Sequence, residues 1–277
     1  MSAIDALFRE WHSTGHKPLI PFLVAGDPDL ETTAATLSGL SAAGLPLLEI
    51  GFPYSDPIAD GPTIQAAYTR ALQHGVRVAD ILNAVARIER ASATSLVGMV
   101  SYALVFRHGV EAWVEQVAEA GLAGLIVPDL PSEEAEALDV QCRKRQIALV
   151  QLIAPTTSRD RARRILEHAS GFVYYVSVTG VTGERRSLPE ELPDRIAALR
   201  ELTDLPICVG FGVHDANQVR LLSPHVDGVI VGSAVVKRMA QPKPTKMSRP
   251  ELVDNVVAFC CELQTALNEK SCPASFS

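Results

Sequence analysis

The sequence predicts an α/β fold closed as a single-domain (β/α)₈ barrel, and three observations predict it. Short apolar runs recur eight times, with helical segments between them. The runs are rich in β-branched residues, bordered by Gly or Pro, and apolar throughout, as parallel strands covered on both faces are. The length of 277 residues also suits one such TIM barrel, which commonly takes about 250.

The expected strands are, in order, PLIPFLVAG (18–26), LLEIG (47–51), LVGMV (96–100), GLIVP (124–128), ALVQLIAP (148–155), FVYYVSV (172–178), PICVGFG (206–212) and DGVIVGS (227–233). Between them, DLETTAATLSGLSAAG, VEAWVEQVAEAGLAG and EEAEALDVQCRKRQ carry apolar residues at three- and four-residue spacing, with acids early and Gly or basic groups late. Those are helix signals. Residues 1–277 are read as one domain with a barrel core over about 18–270, a surface connection at 240–250, a final helix from Glu251 to Asn268 and a frayed tail at 271–277. An open, doubly wound sheet is the architectural alternative, because sequence does not show whether the first and eighth strands meet.

Composition narrows the class. No uninterrupted apolar run approaches the roughly 20 residues of a membrane helix, and no basic leader precedes an apolar core at Met1, so a cytoplasmic protein is expected. A formal charge of −7 without a basic stripe makes nucleic acid an unfavourable partner. The five cysteines are scattered and form no C-x-x-C pair, which argues against both a disulfide framework and a zinc site.

The stretch LLEIGFPYSDPIADGP (47–62) holds two carboxylates of interest. Alternation along a strand puts Leu47, Glu49 and Gly51 on one face and Leu48 and Ile50 on the other. With the apolar pair turned to the helices, Glu49 points into the barrel near its carboxyl end, where barrel enzymes build their sites. Burial there raises a carboxyl pKa and makes the group a proton donor or acceptor near neutrality. Position alone leaves a structural ion pair equally open. Asp60, in ADGPTIQAAYTRALQHG, stands where a helix N-cap belongs, and taken alone capping is its stronger reading.

Three later strands end in glycine: YYVSVTGVTG, VGFGV and VIVGSAV. Glycine lets backbone N–H groups approach a phosphate, and barrels frequently bind phosphate with the loops after strands seven and eight. Phe211–Gly212 and Gly232–Ser233 fall there, with Gly183 a third donor from loop six, so a phosphorylated ligand is expected. None of the lysines Lys17, Lys144, Lys237, Lys243, Lys246 and Lys270 lies in a strand or at its carboxyl end, which disfavours a Schiff base. Histidines are dispersed, and His214, near a strand exit, reads as a loop residue rather than a metal ligand. Proton transfer by carboxylates on a phosphorylated substrate remains, and that covers isomerisation and retro-aldol cleavage alike.

PFLVAGDPD, LLEIGFPYSDPIADGPTIQ, GLIVPDLPSEE, LIAPTT, VSVTGVTG, VGFGV and VIVGSAVV occur in the order of the tryptophan synthase alpha subunit family, which the chain resembles from about Leu19 to Val236. The resemblance implies cleavage of indole-3-glycerol phosphate to indole and glyceraldehyde 3-phosphate. It implies no cofactor in this chain, and a beta subunit carrying pyridoxal phosphate as partner in an alpha2beta2 heterotetramer. It assigns Glu49 as the acid/base, Asp60 as counter-charge to the indole N–H, Tyr175 as an active-site tyrosine and Thr182 as a lid residue positioning Asp60. Phe22, Ile153 and Phe211 are expected to line the indole pocket with Tyr102 nearby, and Gly183, Gly212, Gly232 and Ser233 to hold phosphate. No metal is implied.

The same resemblance sets the partner contact at Pro53 to Asp56 and in the loop after strand three. Two departures stand out: Val24 replaces the usual threonine, and SYALVFRHG (101–109) is one residue shorter than the family pattern and lacks its Asn-Pro. A stand-alone indole-3-glycerol-phosphate lyase, which the resemblance also implies for some relatives, is one alternative, and the second departure keeps a catalytically silent regulatory barrel as another. An amino-sugar isomerase barrel is disfavoured because strand five ends in LIAP rather than an aspartate.

Overall fold

A computed structural model describes residues 1–57, 60–91, 94–176, 190–210, 212–240 and 247–269. In chain order the elements are α1 (Ala3–Thr14), β1 (Leu19–Val24), α2 (Leu30–Ala42), β2 (Leu47–Gly51), α3 (Pro62–Gln73), α4 (Val78–Arg87), β3 (Ser95–Met99), α5 (Tyr102–His108), α6 (Val110–Glu119) and β4 (Gly124–Ile126). A short 3₁₀ turn (Ser132–Glu134) leads to α7 (Glu136–Lys144), β5 (Ala148–Ile153), α8 (Arg159–Glu167), β6 (Val173–Val176), α9 (Leu192–Arg200), β7 (Ile207–Gly210), α10 (Ala216–Leu222), β8 (Gly228–Val231), α11 (Ser233–Met239) and α12 (Arg249–Asn268). No helix among these residues is long and apolar enough to cross a membrane.

The strands form a closed parallel barrel in the order β1 to β8. Closure rests on β1 and β8, paired as Leu19↔Val229, Ile20↔Ile230 and Pro21↔Val231, which removes the open-sheet alternative. Strand alternation divides the apolar residues into two layers. Leu48, Ile50, Leu96, Leu149, Val173 and Val209 face the helices, whereas Ile20, Phe22, Leu47, Val97, Val150 and Ile230 fill the barrel. A filled interior leaves only the ends free for chemistry.

The amino end is closed by α1, an element the sequence reading did not anticipate. Its Ile4, Leu7 and Phe8 join the interior layer, and Phe8 meets Phe172 with ring centroids 5.6 Å apart. A capping box at Ser2 and Asp5 fixes the helix start, while the second Asp5 oxygen accepts from the Gly171 N–H at 3.0 Å. With one end capped in this way, the site is left to the carboxyl end of the strands.

Candidate active site

Glu49 occupies the third position of β2, flanked by outward-facing Leu48 and Ile50. Its side chain is fully buried, and neither carboxyl oxygen has a hydrogen-bond partner among the described residues. Buried polar groups are nearly always paired, so an orphaned carboxyl stands against the folding free energy and calls for a functional reason. Burial, reinforced by the charge of Asp60, raises its pKa from 4.5 to about 8. At neutral pH Glu49 is therefore a protonated acid ready to give its proton away.

Asp60 reaches the same region from the loop after β2. The Tyr54 hydroxyl donates to its carboxylate at 3.4 Å, and the Gln65 side-chain amide fastens the loop by donating to the carbonyls of Asp60 at 2.8 Å and Pro57 at 3.1 Å. The expected N-cap role fails: Gly61 is the capping residue of α3, without a side-chain bond, and Pro62 opens the helix. Because the cap falls one residue later, the Asp60 carboxyl is left free to act in the barrel mouth. Burial raises its pKa from 3.8 to about 6, with the Tyr54 hydrogen bond opposing the rise. Near pH 7 the two groups thus differ in protonation, Glu49 neutral and Asp60 an anion.

An aromatic wall surrounds them. Phe22 is the β1 register partner of Glu49, and at the next inward position of β2 a side chain on Gly51 would fall 2.6 Å from the Phe22 ring and 2.8 Å from the Tyr68 hydroxyl. Glycine at 51 is what admits both groups. Tyr54 and Tyr68 rest together with ring centroids 5.3 Å apart. Across the barrel the Tyr174 hydroxyl lies over Gly210, where a Cβ would approach it to 2.6 Å. Burial and the charges of Glu49 and Asp60 push the Tyr174 hydroxyl above its ordinary value.

Two expected pocket residues are corrected here. Tyr175 and Ile153 belong to the outer layer and line a 210 Å³ cavity with Pro155 and Arg195, between β5, α8 and α9. Their neighbours Tyr174 and Leu152 pack with the interior layer. The cause is a one-residue phase: β5 and β6 are apolar on both faces, so composition does not show which face is inward. Phe172, already inside the barrel, fixes the phase of Tyr174 two residues on.

At the barrel mouth Gly212 follows β7 in a left-handed conformation with φ +39°. Gly232 caps α11, Ser233 begins it, and Gly232 lies close to Phe22 and Ile64. The other residues expected here, Thr182, Gly183 and Phe211, lie outside the described residues, as do Arg185 and Arg186 of loop six and the tail at 271–277. His214 stays in its loop, with Nδ1 3.2 Å from the Gly212 carbonyl. Among the described residues no His, Cys, Asp or Glu side chains gather in threes to hold a metal. A larger cavity, about 780 Å³, opens at the amino end between α1 and the segments entering β1, β7 and β8, lined by Trp11, Lys17, Pro206 and Asp227 among others. Neither carboxylate lines it.

Comparison with known proteins joins this geometry to a family. The family profile described as "Tryptophan synthase alpha chain" matches residues 8–268. The chain belongs to the tryptophan synthase alpha chain family. It is 44% identical over 280 residues to the tryptophan synthase alpha chain of Rhodopirellula baltica, covering 97% of this chain and 99% of that one. A second relative, from Synechocystis sp., is 45% identical over 269 residues, covering 97% and 100%. Among solved structures, the tryptophan synthase alpha chain of Legionella pneumophila superposes with a TM-score of 0.87 at 30% identity, covering 98% of this chain and 99% of that one.

Membership in the tryptophan synthase alpha chain family makes the chain an enzyme and gives its departures a setting. Val24 is inside the barrel, 2% exposed, and pairs with Gly51, so the hydroxyl it lacks is missing from the wall beside Gly51. The shortened 101–109 segment forms α5. Tyr102 is half-buried there, its N–H bonded to Asp129 at 2.7 Å, and Phe106 beside it is 70% exposed. Of the two residues expected to touch a partner, Asp56 is exposed and Pro53 is buried.

Proposed function

We propose that the chain cleaves indole-3-glycerol phosphate to indole and glyceraldehyde 3-phosphate by carboxylate acid/base catalysis. The observation that carries this reading is the orphaned Glu49 carboxyl with its pKa at about 8, beside Asp60 at about 6. Glu49 protonates indole C3, and the positive charge that develops on the ring N–H is met by the Asp60 carboxylate. The Glu49 carboxylate then takes the proton of the hydroxyl on the adjacent glycerol carbon. The bond from that carbon to C3 breaks, its electron pair restores the indole, and the carbon leaves as the aldehyde. Proton and electrons balance without a cofactor in this chain.

Phe22 supports the indole ring, with Tyr174 and Leu152 taking the places expected of Tyr175 and Ile153. Gly212, Gly232 and Ser233 would receive the phosphate through backbone N–H groups, which at a helix start have no intrahelical acceptor. Thr182, Gly183 and Phe211 remain part of the proposed site. Indole would pass to a beta subunit holding pyridoxal phosphate in an alpha2beta2 assembly, and the exposed Phe106 beside Tyr102, with Asp56, supports a docking face there. A phosphorylated small-molecule substrate fits a cytoplasmic enzyme.

The test is indole release from indole-3-glycerol phosphate by the purified chain, alone and with a tryptophan synthase beta subunit, alongside Glu49→Gln. Slow release, accelerated by the partner and abolished by the substitution, is expected. Fast release without a partner would establish the stand-alone lyase, and release by neither preparation would overturn the substrate assignment in favour of a silent regulatory barrel.

A further inference from the structure

Tyr68 on α3 is a second buried polar group without a partner: its side chain is 0% exposed and its hydroxyl has no hydrogen-bond partner among the described residues. It does not sit among the outer-layer residues, as a helix residue usually does, but packs with the barrel interior. The hydroxyl stands 2.8 Å from where a Cβ on Gly51 would be. Gly51 is two residues along β2 from Glu49, so both share the inner face of that strand. Two orphans, one a donor and the other a carboxyl, therefore occupy the same stretch of wall.

The neighbouring tyrosine makes the pattern clearer. Tyr54, its ring tilted against that of Tyr68, already donates to Asp60. Asp60 thus has a hydroxyl of its own, whereas Glu49 has none among the described residues. Once it loses its proton, Glu49 becomes a fully buried anion, and a buried anion without a donor is costly.

We propose that Tyr68 is a positioning residue of the acid/base pair: its hydroxyl, held over Gly51 on the wall that carries Glu49, is the hydrogen-bond donor that receives Glu49 each time that carboxyl gives up its proton. The role rests on the reading of Glu49 as the acid/base. It explains why an unpaired phenol is kept in the core, since its partner exists only during part of the cycle. It also gives Gly51 a second task, because any side chain there would displace the donor.

The ionisable groups acting on Tyr68 are Asp60, Tyr54, Glu49 and Tyr174. Other charges on the elements packed around α3 are turned elsewhere: Arg70 holds Asp27 at 2.7 Å, Arg238 of α11 lies over the Phe259 ring, and Lys237 is exposed. A hydrogen bond to the charged form of a carboxyl lowers its pKa, so removing the donor raises it.

The experiment compares Tyr68→Phe with Tyr54→Phe in the full chain, titrating ¹³C-labelled carboxyl groups by NMR, with the Glu49 signal assigned by its loss in Glu49→Gln. Tyr68→Phe is expected to raise the Glu49 midpoint by about one pH unit, and Tyr54→Phe to raise that of Asp60 instead. In the indole-release assay Tyr68→Phe should lower kcat about tenfold with KM little changed. A Glu49 midpoint unmoved in folded Tyr68→Phe overturns the proposal, as does a shift confined to Asp60. The NMR readout needs no turnover: a moved Glu49 midpoint in a chain that releases no indole would uphold the pairing and sink only the substrate assignment.

Discussion

Phe22 and Glu49 are register partners on adjacent parallel strands, both turned to the inside of the barrel. Neighbouring strands lie about 4.8 Å apart, so in the proposed reaction an aromatic ring resting on Phe22 would be held beside the Glu49 proton. Strand pairing sets this alignment before any substrate arrives, and holding reacting groups in place is one source of rate enhancement. Asp60, in contrast, comes from a loop, and its placement depends on the Gln65 and Tyr54 hydrogen bonds that hold that loop.

The opposed protonation states predict a bell-shaped pH profile. Activity should rise as Asp60 ionises near pH 6 and fall as Glu49 loses its proton near pH 8. The profile of kcat/KM, measured as indole release from pH 5 to about 9.5, checks both limbs. Asp60→Asn should remove the acidic limb and lower the plateau about 10²-fold or more; an acidic limb that survives it would assign that limb to another group.

Glu49 also predicts how stability varies with pH. Its folded pKa of about 8 lies above the ordinary 4.5, so between those values the folded chain holds a proton that the unfolded chain has released. Raising the pH through that window favours unfolding, with no contribution below about 4.5 or further change above about 8. Glu49→Gln removes the titration, and its stability relative to the parent should improve by on the order of 4–5 kcal/mol between pH 4.5 and pH 8.5. Urea unfolding at the two pH values measures the difference. A constant difference would mean that folded Glu49 ionises like an exposed carboxyl.

Gly51→Ala tests the crowding over β2. The new methyl would lie 2.6 Å from the Phe22 ring and 2.8 Å from the Tyr68 hydroxyl, so the side chains around Glu49 must shift. Overpacking of this kind costs about 1–3 kcal/mol, and a displacement near 1 Å at reacting groups costs about 10²-fold in rate. Thermal unfolding and kcat/KM should fall together. Full activity at unchanged Tm would show that the wall yields without consequence.

The parts of the site legible from sequence were those with a clear period or an unusual residue in a regular place. Glu49 stood out because LLEIG alternates once the charge is placed inward. Tyr174 and Leu152 did not, because FVYYVSV and ALVQLIAP are apolar on both faces and their phase depends on tertiary contacts such as that between Phe8 and Phe172. Asp60 was legible as a residue of interest, yet its capping role failed because glycine also caps helices, and Gly61 followed it. Tyr68 was hidden by its helix, since nothing local reveals that α3 turns a phenol toward the barrel rather than the solvent. The closed barrel was legible from the eight alternating runs, while the register that closes it, Leu19 against Val229, exists only in three dimensions.

Arg70 and Asp27 join the loop after β1 to α3 through two hydrogen bonds of 2.8 and 2.7 Å. Asp27 is 1% exposed while Arg70 keeps 37% of its side chain in solvent. Removing the arginine strands a buried carboxylate, whereas the double change leaves a neutral amide there in place of an unpaired charge. Arg70→Ala should cost about 2–3 kcal/mol, and the double change with Asp27→Asn distinctly less than the sum of the two single changes. Chemical denaturation of the three variants reads this directly. Additive losses would mean that the pair contributes no coupling.

Phe106 gives a prediction about assembly. It is 70% exposed on the seven-residue helix α5, whose buried residue is its neighbour Val105, so little of the Phe106 side chain supports the fold. Its ring centroid lies 6.2 Å from that of half-buried Tyr102, and an aromatic pair at the surface is the kind of anchor that protein interfaces concentrate. Phe106→Ser should leave the Tm of the isolated chain unchanged within about 1 °C, because exposed positions contribute within about 0.5 kcal/mol. The same change should weaken binding of a tryptophan synthase beta subunit about tenfold, the 1.4 kcal/mol that loss of a buried aromatic contact readily reaches. Calorimetric titration of the two chains measures it, with indole release in the mixture as a second readout. Unchanged affinity would remove α5 from the proposed docking face, and a lowered Tm would show that Phe106 serves the fold instead.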